Sequence, residues 1–122
     1  MRATALSLLV LAAAGCGGGA GVYLDTDVCE VSGFRLSSAK ETRMSGGLMQ
    51  AGTLEYSGSG DIKESFNAYV ASMKAQGWII AGVDVQADRA IGTLRKDNRT
   101  CSLDFAKAES RTRAVIRVGT TQ

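Results

Sequence analysis

Histidine and proline are both absent from this chain of 122 residues. Without histidine, a Ser-His-Asp or Cys-His nucleophile is excluded. Three cysteines are too few for the four nitrogen or sulfur ligands of an ordinary structural zinc site. A net charge of +2 excludes the strongly basic footprint of a nucleic-acid binder. No Gly-x-x-x-x-Gly-Lys-Ser/Thr string occurs, so "GSG" at 58–60 is assigned to a turn and not to a phosphate loop. The apolar run at residues 6–14 falls short of the ~20 residues that cross a bilayer as a helix. These gaps favour a non-enzymatic protein with no cofactor, no metal site and no nucleic-acid partner.

What is present begins with an address. Met1-Arg2 is a short positive start, and Leu6 to Leu11 is a compact apolar stretch extended by Ala12 to Ala14. That pattern reads as a secretory signal. Small residues then lead to a cysteine, and "GCGGGAG" follows at once. Ala13-Ala14-Gly15-Cys16 resembles the lipobox of bacterial lipoproteins, although Ala13 stands where that family usually carries leucine. The resemblance implies cleavage before Cys16 and lipidation of its thiol. It also implies residence in the cell envelope, held at the membrane through that anchor. Gly17 is not the aspartate that retains many such proteins at the inner membrane. In a Gram-negative host this points to the outer membrane, facing the periplasm. The expected divisions are a signal peptide at 1–15, a lipidated cysteine with a glycine-rich tether at 16–27, and a single domain at 28–122.

Patterning along the domain predicts an α+β fold. "VCEVSGFRL" is read as a first strand with an irregularity at Gly33, and "LMQAGTLEYSG" as a second. In the second, Leu48, Gln50, Gly52, Leu54 and Tyr56 form the expected core face. Asp61 with Glu64 three residues later fits a capping box. From there Ile62, Phe66, Tyr69, Val70 and Met73 recur at helical spacing up to a terminal Gly77, predicting a helix over 61–76. Trp78 is expected to anchor the core beside the helix end. "GWIIAGVDVQ", "AIGTLRK", "TCSLDFAK" and "RAVIRVG" then read as an antiparallel meander. The predicted order is β-β-α-β-β-β-β, with one helix packed on a mostly antiparallel sheet.

The stretch from Tyr56 through Glu64, Tyr69, Met73 and Gly77-Trp78, followed by "TCSLDF", is similar to small uncharacterised bacterial lipoproteins. Their fold is implied, but no activity comes with it. The element order also resembles helix-grip domains of outer-membrane assembly lipoproteins, in architecture alone.

Three sets of residues invite a functional reading. Glu55, Asp61 and Glu64 are candidate paired acids for a small periplasmic hydrolase, or for an accessory subunit of an envelope enzyme. Helix capping already explains Asp61 and Glu64. Arg95, Lys96, Arg99, Arg111, Arg113 and Arg117 are either a solvated sheet face, the plainer reading, or a candidate basic docking surface for anionic headgroups or an acidic envelope partner. Cys29 and Cys101 are a candidate disulfide, because lipidation of Cys16 leaves an even pair in an oxidising compartment. The alternative is two buried free thiols. The leading expectation is a lipid-anchored envelope protein that binds or scaffolds.

Overall fold

Alternating apolar residues in the C-terminal half become strands, and the one helical stripe becomes a helix. The computed structural model describes residues 21–120. The expected signal peptide and Cys16 lie outside them. A single 3-10 turn at Tyr23–Asp25 precedes β1 (Arg35–Ser45), β2 (Leu48–Gly58), α1 (Ile62–Ala75), β3 (Ile79–Val85), β4 (Arg89–Lys96), β5 (Arg99–Ala108) and β6 (Arg111–Thr120). The strands form one sheet in the order β1-β2-β6-β5-β4-β3, antiparallel throughout. The predicted order of elements is observed. Strands hold most of the described residues, so α+β applies in the loose sense of a sheet with one helix on it.

The topology is a meander with a detour. β3 to β6 run side by side as expected, but β2 pairs with β6 and not with β3. The connection through α1 carries the chain from β2 to the opposite edge of the sheet. Residues far apart in sequence become direct neighbours, as in Tyr56 opposite Ala114.

α1 forms for the reasons its sequence predicts. The Asp61 carboxylate accepts a hydrogen bond from the Glu64 N–H at 3.0 Å, capping the first turn. Ile62, Phe66, Tyr69, Val70 and Met73 are all buried. Gly77 ends the helix at φ 98°, a left-handed geometry that glycine adopts without a Cβ penalty. The helix lies on β3, β4 and β5. Phe105 on β5 is the centre of the core: Phe66 meets it edge-on at 5.4 Å, and Tyr69 and Phe34 lean on it at 5.9 and 6.4 Å. Phe66 also presses onto the backbone of Gly92, where an added Cβ would stand 2.9 Å from the ring.

Two expectations about strands change. The first strand is not "VCEVSGFRL" but begins at Arg35, near the end of that stretch. Val28 and Cys29 are adjacent and both fully buried, which a strand exposing alternate residues does not allow. They lie in an irregular segment beside α1, where the Tyr69 hydroxyl donates to the Cys29 carbonyl at 2.7 Å. β1 itself is exposed along nearly all its length, so it carries no core alternation to read. In β2 the core face holds Gly52, Leu54 and Tyr56 as expected, but near its start Met49 is buried in place of Leu48. The register of β1 against β2 shifts on both sides of Arg43, and Met44 faces Met49 beyond the last shift. Such an irregularity moves side chains to the other face.

A basic sheet face as the candidate functional site

A two-residue period sends neighbouring side chains to opposite faces, so register alone sorts the charges. The covered face takes α1 and the segment leading into β1. The other face is uncovered among the described residues. Its side chains lie in rows that run across the strands. One row is Arg35, Ser57, Arg113, Ala106 and Arg89. A second is Lys40, Thr53, Arg117, Ser102 and Thr93. Between them runs Ser38, Glu55, Val115, Asp104, Ile91 and Asp84. Thr100, Arg95 and Ile79 form a shorter row at one end. Arg111 lies at the other, its Nε donating to the Ser57 hydroxyl at 3.0 Å.

The acids of these rows all fall in the middle one. Glu55, Asp84 and Asp104 sit there, flanked on both sides by rows whose charged members are all cations. Asp104 is taken up by Arg89, whose Nη2 approaches to 2.9 Å. That hydrogen bond and the carboxylate charge raise the Arg89 pKa above its usual value. Hydroxyls stand beside the arginines: Thr53 and Ser102 flank Arg117, and Ser57 flanks Arg113. Thr93, Arg95, Ser102, Asp104 and Arg117 line a shallow depression on this face.

The structure divides the predicted docking set. Arg95, Arg111, Arg113 and Arg117 share the open face and are exposed. Arg99 is not part of it. It points into the covered side with only 2% of its surface accessible. Its Nη1 donates to Asp27 Oδ1 at 2.9 Å and to the Met49 carbonyl at 3.1 Å, and its Nη2 donates to Asp27 Oδ2 at 2.6 Å. The guanidinium stacks on the Trp78 ring at 4.9 Å. Lys96 joins the same cluster, donating to Asp27 Oδ2 and to the Gln76 carbonyl, each at 2.7 Å. Trp78 Nε1 donates to the Asp27 carbonyl at 2.8 Å, so the predicted core anchor also holds this segment.

Asp27 therefore carries the charge balance of the covered side. Burial alone would raise its pKa, but hydrogen bonds and charge from Arg99 and Lys96 outweigh burial and hold it below its usual 3.8. The hydrogen bonds that Arg99 donates to Asp27 raise the Arg99 pKa in turn. This role moves a domain boundary. Tyr23, Thr26 and Asp27 are buried, so residues 22–27 belong to the packed domain and not to the tether. Arg99 requires its acid beside it, which fixes that segment in place.

The predicted Cys29–Cys101 bridge is not formed. Cys101 is a free, buried thiol between Leu94 and Val118 on the covered face. Burial pushes its pKa up to about 12. Cys29 is disulfide-bonded, but not to Cys101. Cys101 follows Arg99 on the same face of β5, and the apolar alternation that predicted its burial also withholds it from pairing.

The candidate acids do not converge. Glu55 lies on the open face in the row with Asp104, whereas Asp61 caps α1 from the end of the helix. Among the described residues no cluster of metal-ligating side chains occurs, and no helix is long and apolar enough to cross a membrane. Sequence reasoning missed Arg35 and Lys40, which β1 brings to the open face, and left Arg89 out of the docking set. The misplaced first strand hid the first two. No family model, curated protein or solved structure matches the chain.

Proposed function

We propose that this chain is a lipid-anchored cell-envelope protein whose domain binds an anionic partner and performs no chemistry of its own. One observation carries the binding half: an uncovered sheet face on which cations and hydroxyls are arrayed in rows, with the acids confined to one of them. The anchoring half rests on "LSLLVLAAAGC" at residues 6–16. In a Gram-negative host, Gly17 in place of the retaining aspartate favours the outer membrane, facing the periplasm. The electrostatic attraction of such a face falls off within a Debye length of about 8 Å at physiological salt. An anchor that keeps the domain near its partner makes a weak surface effective.

Replacement of Cys16 by serine tests the anchor. The expected result is release to the soluble fraction or accumulation of the unprocessed precursor. Normal processing with membrane retention of the Cys16→Ser chain overturns the reading. Intact mass of the wild-type mature protein gives a second measure. A single sulfur forms either a thioether or a disulfide, so lipid mass on Cys16 excludes a disulfide at that residue. A mature chain without lipid, two hydrogen atoms lighter than its reduced form, overturns the anchor.

A further inference from the structure

We infer that the open sheet face is a docking surface for an anionic lipid bilayer, laid against the headgroups with α1 turned away. The inference rests on the anchored reading above and adds the partner and the orientation. Charge complementarity is its first support. The cations are spread across the face and not gathered at one point. They run from Arg35 and Lys40 on β1 to Arg95 on β4, four strand spacings apart, or about 19 Å. A dispersed lattice of cations matches a surface of dispersed phosphates.

The second support is the absence of an aromatic anchor. Protein interfaces draw most of their energy from a few buried residues, chiefly Trp, Tyr and Arg. Every Phe, Tyr and Trp of this chain belongs to the core or packs on it, so the open face offers arginine without the aromatic partners of a desolvated protein contact. Its large exposed apolar side chains are Ile79, 69% accessible, and Ile91, 41% accessible, both near the β3–β4 margin. There they can enter the headgroup layer while Arg95, directly opposite Ile79, meets phosphate. Hydroxyls of Thr53, Ser57 and Ser102 beside the arginines supply further donors to phosphate oxygens.

The full chain, reconstituted in lipid nanodiscs, tests this. One disc is phosphatidylcholine alone, and the other contains one part in three phosphatidylglycerol. Both carry a trace of gadolinium-chelating lipid, and the readout is NMR line broadening. In the anionic disc, the Nε–H signals of Arg113 and Arg117 should broaden more than the amides of α1, and 0.5 M salt should reverse the difference. Each basic residue near an anionic surface contributes roughly fivefold to partitioning. The pair Arg113→Gln and Arg117→Gln should therefore lower the equilibrium constant between face-bound and face-free states about 25-fold, with the chain still on the disc. Equal broadening of β6 and α1, or broadening that ignores phosphatidylglycerol, overturns this inference and leaves the anchor standing. Shifted Arg113 and Arg117 Nε–H signals on adding free polyglutamate, with no selective broadening in the anionic disc, assign the face to an acidic polypeptide and overturn the bilayer as occupant. Absence of the chain from both discs overturns the anchor, and this inference with it.

Discussion

Arg99 and Arg117 are the same residue on neighbouring strands, and they meet opposite fates. Arg99 lies on the covered face, where its charge is neutralised by Asp27, stacked on Trp78 and shared with Lys96. Arg117 lies on the open face between two hydroxyl-bearing residues, with no acid directly opposite. The covered face accepts a charge only when every donor finds an acceptor, because an unpaired buried ion is costly. The open face tolerates an excess of one sign because water screens it. A basic residue inside the fold is therefore structural, and a basic residue left outside without an acid is available for binding.

The sharpest way to break this contrast is to remove the acid from the covered side. Asp27→Asn strands the Arg99 charge and should cost about 3–5 kcal/mol in urea unfolding, the range for breaking a buried pair. The same pairing predicts a pH dependence. The folded pKa of Asp27 lies below its usual 3.8. Between the two values the unfolded chain binds more protons, so stability rises with pH there. The contribution is complete above 3.8 and is lost as pH falls through the folded value. An acid titration of unfolding midpoints should show this loss in the wild type and not in Asp27→Asn.

Packing of the covered side comes next. Phe66→Ala should cost about 3–5 kcal/mol by loss of a buried ring, whereas Lys74→Ala on the exposed side of α1 should be near neutral. Gly92→Ala should cost about 1–3 kcal/mol, because the new methyl meets Phe66. Equal midpoints for Phe66→Ala and Lys74→Ala would show that the covered side does not carry the stability.

The smallest effects belong to the three quietest groups. Tyr56 has a buried hydroxyl with no hydrogen-bond partner among the described residues. Tyr56→Phe removes that unsatisfied group and should leave stability unchanged or raise it by up to about 1 kcal/mol. Arg117→Gln should leave the unfolding midpoint unmoved, in direct contrast to Asp27→Asn. Cys101 should resist iodoacetamide in the folded protein and react on unfolding, because burial holds its pKa near 12.

Much of the covered side is legible in the order of residues. The stripe Ile62, Phe66, Tyr69, Val70 and Met73 has the helical period, and Cys101, Leu103 and Phe105 alternate cleanly. Local periodicity reports burial where one face of an element meets a core. β1 has no such face, and its residues carry no strand signal. Arg99 is illegible for a related reason. It continues the inward alternation of Cys101, Leu103 and Phe105, but a charge at that position reads as surface. Its burial depends on Asp27, which is 72 residues away in sequence.

From residue order alone came the leader pattern ending in Cys16, the single helix with its caps, the order of elements, and the surplus of arginine near the C-terminus. These are local properties, written in spacing and composition. Which cations stand together was settled by the pairing of β2 with β6, which sets Arg35 and Lys40 in rows with Arg113 and Arg117. The fate of Cys101 was settled the same way, in a strand whose inward face left no cysteine opposite it. Register joins residues that are distant in sequence, and no local period encodes it.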